Sequence, residues 1–440
     1  MRKMEAIRHV EVQDVLRARD ERAARQAAFL TRCQTPLISF TMNIAGSIKN
    51  DPQIQRAFSE GKARIERVLH AMRWEASAYA ETVAYTGCEA LWAVNADAEK
   101  LKRQMCLIEE ADALGRLFDI DVIDAEGKHL SRSAERSCLL CGGPARACAR
   151  SRAHSGEELY QKAHEIIDTF FQELFIRTIG ELAQRALLYE ALTTPKPGLV
   201  DCENSGAHRD MDLFSFVNSA CALRSYFERC AGLGAENAGY ERLQQEGITA
   251  EERMLAAAGA NTHKGAVFSL GILCYAAGSC KENAPVESIL KKAAEAGSFF
   301  LEQMKNSGRM HTGGEAQYAR YGLTGARGEA ASGFQTVLHT ALPALEKGVG
   351  EGKSLCKAGL DALLCLISRV KDSNIIRRAG LEGQTWAAAQ AETLLKNGFT
   401  TDDLRQMNSR FVQRGISPGG SADLLALAYF LFFLKYPDKR

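Results

Sequence analysis

A helical apolar period runs from Glu157 to Leu192 and is stopped by Pro195 and Pro197. Proline removes a backbone donor and clashes with the preceding turn, so the helix cannot continue through this point. Beyond it no convincing strand pattern appears. Helical patterns recur at 212–231, 262–278, 285–306, 333–346, 354–370, 383–397 and 421–436, rich in Ala and Leu and joined by glycine-bearing loops. The chain before Glu157 reads differently. Helices are expected at 10–33, 52–74 and about 97–114. A strand is expected at Leu37–Met42, a strand pair around Gly87 within 82–94, and a strand where apolar and acidic residues alternate at 116–124. With 440 residues, the chain exceeds what one core usually serves. The expectation is a multidomain protein, with an N-terminal α+β domain over 1–156 and a larger all-α domain over 157–440.

Bulk properties exclude some functions. A net charge of +1 supplies no global field toward nucleic acid, so anion binding must be local. The longest apolar run, Leu424 to Leu434, is too short to cross a bilayer and reads as a buried helix. The first residues lack the apolar core of a signal peptide. Thirteen cysteines, an odd number, fit free thiols in a reducing cytoplasm.

Five stretches carry groups suited to chemistry. In Thr194–Asp212, two prolines and a glycine precede Lys196, Asp201, Glu203, His208, Asp210 and Asp212. An acid-rich loop on a helical scaffold is a common place for a metal, a phosphate or a proton. Residues 259–271 place Asn261 or Thr262 as a helix cap, with His263 and Lys264 in the first turn, where free N–H groups attract anions. A lysine is unfavourable at that end of a helix, which hints at a ligand. Residues 311–329 read as a glycine-rich loop with His311, Glu315 and Arg327. Residues 414–423 feed Gly419, Gly420 and Asp423 into a helix N-terminus, a phosphate cradle in physics without the Walker lysine. Asp119 and Asp121, two apart on a strand, share a face and suit Mg²⁺, or are simply solvated.

Cys138, Cys141, Cys148 and His154 offer four zinc ligands, interleaved with Arg146, Arg150 and Arg152. Zinc, arginines holding phosphate and a solvated connector with reduced thiols all remain open. On spacing alone, zinc is the minority reading.

The motifs TPKPGLVDCENSGAHRDMD, NTHKGAVFSLG, GLTGARGEAASGF and RGISPGGSADLLA, in this order, resemble the triphosphoribosyl-dephospho-coenzyme A synthase family over 160–440. LISFTMNIAGSIKN, GRLFDIDVID and CLLCGGPARACARSRAHS resemble the apo-citrate lyase phosphoribosyl-dephospho-coenzyme A transferases over 10–155. The resemblance implies a bifunctional, Mg²⁺-dependent transferase. Its C-terminal domain would couple ATP to 3′-dephospho-coenzyme A with release of adenine. Its N-terminal domain would transfer phosphoribosyl-dephospho-coenzyme A to a serine of the citrate lyase acyl carrier (gamma) subunit, expelling pyrophosphate. A malonate decarboxylase carrier is a second candidate acceptor.

On that footing Asp210, Asp212 and Asp423 are expected at the metal or the oxocarbenium-like carbon. Lys196, Asp201, Lys264, Arg327, Gly419 and Gly420 are expected at substrate phosphates, and His208, His263 and Glu315 at proton transfer. In the transferase, Asp119 and Asp121 would hold Mg²⁺, with Arg116, Arg150 and Arg152 assisting. The rival reading is a metal-dependent N-glycosidic hydrolase of ADP-ribose-like substrates fused to a non-catalytic zinc docking module.

Overall fold

The computed structural model describes residues 8–132, 136–306 and 313–437; the side chains of 313–315 lie outside the description. Four strands form one antiparallel sheet: β1 (Leu37–Met42), β2 (Ala76–Ala84), β3 (Gly87–Val94) and β4 (Phe118–Ile123), in the spatial order β2-β3-β1-β4. Around them run α1 (Val12–Cys33), α2 (Pro52–Ala71), α3 (Ala98–Glu110), α4 (Ala145–Ser151) and the start of α5 (Gly156–Leu192). Period 2 assigns the faces. Ile38, Phe40, Trp92, Phe118, Ile120 and Val122 point to one side and form a core with α2, α3 and Ala163, Ile167 and Phe171 of α5. On the opposite face one end is apolar, where Leu37, Ala93 and Ile123 meet Phe29 and Leu30 of α1, and Leu91 is buried opposite Ser39. The other end of that face carries Ser39, Thr41, Glu89, Asp119 and Asp121, placed together by the register Ser39↔Asp121 and Thr41↔Asp119.

The division between compact units falls at Glu173/Leu174, inside α5, rather than at the change of composition near 156. Residues up to Phe171 complete the core under the sheet, whereas Ile179, Leu182, Ala186 and Leu187 belong to the helical core. One helix thus serves two cores.

Among the described residues the second unit is helical throughout. It contains α6 (Leu213–Ala235), α7 (Tyr240–Ala258), α8 (Lys264–Gly278), α9 (Val286–Asn306), α10 (Gly313–Tyr321) and α11 (Gly325–Ala331). A π-helical turn (Val337–Ala341) follows, then α12 (Leu342–Gly350), α13 (Leu355–Arg369), α14 (Ser373–Asn397), α15 (Thr401–Gln413) and α16 (Gly419–Lys435). Helix α16 is apolar all round and buried from Leu424 to Phe433, as expected of a central helix. Its Tyr429 hydroxyl donates to Leu355 O at 3.0 Å and meets Thr193 Oγ1 at 2.8 Å, so its polar tip is satisfied. A side chain at Gly359 would collide with that hydroxyl, its Cβ falling 1.9 Å away.

Several expectations change here: β2 begins at Ala76, before the expected 82–94, α14 begins at Ser373 rather than 383, and α7 and α15 are helices that were not expected. The glycine-rich stretch 311–329 is mostly helical, as α10 and α11, and α8 begins at Lys264 with His263 as its N-cap. No helix among the described residues is long and apolar enough to cross a membrane.

Candidate active sites

The helical unit encloses a cavity of about 1460 Å³. That exceeds the roughly 300–1,000 Å³ of a site for one small molecule, leaving room for two substrates. Its floor is a cluster of buried charge. Lys196 is 1% exposed, and its Nζ donates to Glu190 Oε1 at 2.5 Å and to Glu190 O at 2.6 Å. Asp372, 1% exposed, accepts from Ser421 N (2.8 Å) and Ser421 Oγ (3.0 Å) on one oxygen and from Asn374 N (2.9 Å) on the other. Asp423 has less support. Burial, then the charges of Glu190 and Asp372, push its carboxyl well above the ordinary range, against one backbone hydrogen bond from Ala266. Gly265 makes room for this carboxyl, since a Cβ there would lie 2.0 Å from Asp423 Oδ2.

The loop at Pro195 holds Lys196 in place. Asp201 accepts the Lys196 N–H on Oδ2 (2.7 Å) and those of Glu203 (2.8 Å) and Asn204 (3.0 Å) on Oδ1. Gly198 sits at φ +75°, with its N–H on Asn408 Oδ1 and a Cβ position 2.4 Å from Ile416 O, so only glycine fits.

Two histidines line the cavity with one nitrogen each to spare. His263 shares a 2.7 Å hydrogen bond with Ser219 through Nδ1, and burial, assisted by Lys196, lowers its pKa to about 3. His208 meets Ser417 Oγ at 2.8 Å through Nε2, and burial first, then Arg378, lowers its pKa as well. His263 Nε2 and His208 Nδ1 are buried without a hydrogen-bond partner, as are Thr262 Oγ1, Gln317 Oε1 and Glu329 Oε2. All five residues line this cavity. Buried polar atoms are rarely left unsatisfied, and these five belong to residues on the wall of one space. At the rim stand Arg327, Arg369, Lys371, Arg377 and Arg378. The free N–H groups at the starts of α8 and α16 add local positive potential.

In the sheet unit the polar end of the open face forms a second cluster. Burial, then the charge of Asp121, raises the Asp119 carboxyl, and Arg136 approaches it at 3.5 Å. Glu89 pairs with Arg22 at 3.2 Å and with Arg25. Buried Glu109 receives Arg132, Arg136 and the N–H of Ile120, tying the chain after β4 back to α3.

Residues 176–440 match the family model "ATP:dephospho-CoA triphosphoribosyl transferase", and residues 10–170 match "Apo-citrate lyase phosphoribosyl-dephospho-CoA transferase". Protein CitXG of Haemophilus influenzae is 32% identical over 97% of this chain and 96% of its own length. Protein CitXG of Leuconostoc mesenteroides is 31% identical over 95% and 96%. The chain belongs to the CitXG family. The 2-(5''-triphosphoribosyl)-3'-dephosphocoenzyme-A synthase of Pectobacterium atrosepticum is 36% identical over 63% of this chain and 95% of its own. This CitXG-family chain is therefore a bifunctional transferase that makes the citrate lyase prosthetic group and transfers it, and the hydrolase reading finds no support.

The residues expected in the helical unit fall into three groups. Lys196, His208, Asp210, His263, Lys264, Arg327, Gly419, Gly420 and Asp423 all line the cavity. Lys264 does so from the exposed rim, paired with Glu251 at 2.7 Å. Asp201 and Asp212 do not line it. Asp201 is spent on its own loop, and Asp212 is the exposed N-cap of α6, accepting from Ser215 N at 2.9 Å. Glu315, by its side chain, and His311 lie outside the described residues. In the sheet unit, Asp119 and Asp121 share a face as expected, while Arg116 donates to Ser137. Arg150 and Arg152 are exposed on or just after α4, and no described contact joins them to the carboxylates. Sequence reasoning passed over Glu190, Arg369, Lys371, Arg377 and Arg378, and took Asp372 only as part of a polar turn between helices. The doublet Arg377-Arg378 beside Asp372-Ser373-Asn374 was the available signal.

Proposed function

We propose that the helical cavity is where the 2′-hydroxyl of 3′-dephospho-coenzyme A attacks C1′ of the ATP ribose and adenine leaves. The observation that carries this is the gathering, around one large space, of five orphaned polar atoms, a buried acid cluster and a basic rim. The rim arginines and the N-termini of α8 and α16 suit the triphosphate. Bond breaking leaves positive charge on C1′, which the carboxylates on the floor stabilise in a site of low dielectric. His208, at the cavity wall and kept neutral by burial, suits uptake of the hydroxyl proton and its return to the leaving base, while His263, held down to about 3, suits a neutral hydrogen-bonding role.

The donor set fits Mg²⁺. Asp372 already accepts from its neighbours and Glu190 is paired with Lys196, so Asp423 is the carboxyl with capacity to spare, and Asp210 stands exposed at the lip. Of the expected Asp210, Asp212 and Asp423, Asp423 would hold the ion, and the ion would neutralise triphosphate charge. On the sheet unit, Asp119 and Asp121 fit Mg²⁺ as two carboxyls on one face, Asp119 raised by burial and then by the charge of Asp121. There the product's pyrophosphate would leave as a serine of the citrate lyase acyl carrier (gamma) subunit takes the phosphoribosyl group.

Incubation with ATP, Mg²⁺ and dephospho-coenzyme A is expected to release adenine in proportion to coupled product. Adding the carrier is expected to raise its mass by the phosphoribosyl-dephospho-coenzyme A moiety. Sugar phosphate released without coupling would overturn the assignment.

A further inference from the structure

The segment after β4 is held together by very little that is apolar. Helix α4 has no buried residue, and it follows a turn closed by Cys138 N–H on Gly143 O (2.6 Å) and Gly142 N–H on Cys138 O (3.1 Å). Gly142 at φ +73° lets the turn bring Cys141 back beside Cys138. Helix α4 carries Cys148, and the left-handed Arg152 after it returns the chain so that Ala153 N–H reaches Cys148 O at 3.1 Å, which brings His154 to the same point. The result is three sulfurs and one imidazole nitrogen, all within 4.8 Å of one another. Cys141 Sγ and Cys148 Sγ are 3.4 Å apart, far beyond a disulfide bond of roughly 2.05 Å. Zinc held tetrahedrally at roughly 2.3 Å from sulfur and 2.0 Å from nitrogen sets its donor atoms about 3.5–3.8 Å apart. His154 Nε2 is, in addition, buried with no hydrogen-bond partner.

We propose that Cys138, Cys141, Cys148 and His154 bind one Zn²⁺. Three thiolates and an imidazole form a soft donor set with no carboxylate, which selects zinc over Mg²⁺ or Ca²⁺. Four protein ligands close the coordination shell and leave no position for a reacting water, so the ion is structural. It supplies the cross-link that apolar burial does not provide, much as metal binding substitutes for a core in small domains. What it holds in place is the rim of the transferase cluster. Ser137, next to Cys138, accepts Arg116, and Arg136, one residue earlier, reaches Glu109 and Asp119.

Elemental analysis of the untagged full-length chain, purified from zinc-supplemented cells, is the test. About one zinc per chain is expected, as for a closed four-ligand site. Cys141→Ser and His154→Ala are expected to lose most of it, whereas His154→Cys restores it and Cys221→Ser, at an exposed position of α6, leaves it unchanged. Cobalt substituted into the wild-type chain should show tetrahedral ligand-field bands and a thiolate-to-cobalt charge-transfer band. That reading does not depend on any variant folding. Wild-type chain without zinc and without that cobalt spectrum would overturn the proposal, and so would full zinc retention in Cys141→Ser.

Discussion

In the proposed reading the two candidate sites answer a similar chemical demand, a polyphosphate and its cation, with opposite constructions. On the sheet, Asp119 and Asp121 come from one strand and their common face follows from the backbone pleat. In the helical unit, Glu190, Lys196, His263, Asp372 and Asp423 come from separate helix ends and loops, brought together only by the tertiary fold. The first cluster is local and open. The second is dispersed and buried, so its charges depend on one another. The lesson is that a change at the sheet should cost one activity and little stability, while a change at the cavity floor should cost both.

The largest effect is expected for Lys196→Ala. Glu190 would be left buried and uncompensated, a loss of about 3–5 kcal/mol typical of breaking a buried pair. Thermal unfolding followed by circular dichroism checks this, and an unchanged midpoint would remove the contrast between the sites. Asp121→Asn should lower carrier labelling by roughly 10²–10³-fold, the scale of losing one electrostatic stabiliser, while adenine release stays at the wild-type rate. Mass spectrometry of the carrier and chromatography of adenine read the two separately.

The pH response sharpens the comparison further. His263 is ordinarily protonated near 6.5 but is held down to about 3 by burial. The unfolded chain therefore binds a proton below pH 6.5 that the folded chain refuses, and stability falls as pH drops from about 6.5 toward 3. His263→Gln should flatten that slope in chemical denaturation measured across the window. Arg378→Ala should have the smallest effect. As one of several rim cations, it should raise KM for ATP about tenfold, near 1.4 kcal/mol, with kcat little changed.

The same contrast explains what could be read from the sequence. The strand at Phe118–Ile123 and the shared face of its aspartates follow from alternation alone. The partnership of Glu190 with Lys196 does not, because it joins the end of a long helix to a loop that folds back on it. Helix α7 buries only Leu243, Ala250 and Met254, a stripe too sparse to stand out among its charges. Helix α15 was passed over as well, although Leu404, Met407 and Phe411 stand at helical spacing behind a Thr400/Asp403 capping box. Glycines misled at α10 and α11. Gly328 reads as a loop residue, yet it is helical and glycine because a Cβ there would lie 1.8 Å from Thr324 Oγ1. That contact is local, with the residue that caps α11. The cysteine spacing left zinc a minority reading, and only the turn at Gly142 and the return at Arg152 bring all four donors together.

The central claim is that the buried acid cluster under the cavity makes the ribose–hydroxyl bond, apart from the transfer step on the sheet. Asp423→Asn tests it most directly, with adenine release from ATP and dephospho-coenzyme A followed beside carrier labelling from preformed triphosphoribosyl-dephospho-coenzyme A. The expected result is adenine release reduced by at least about 10³-fold with labelling unchanged. Adenine release at the wild-type rate in a folded Asp423→Asn chain would contradict it.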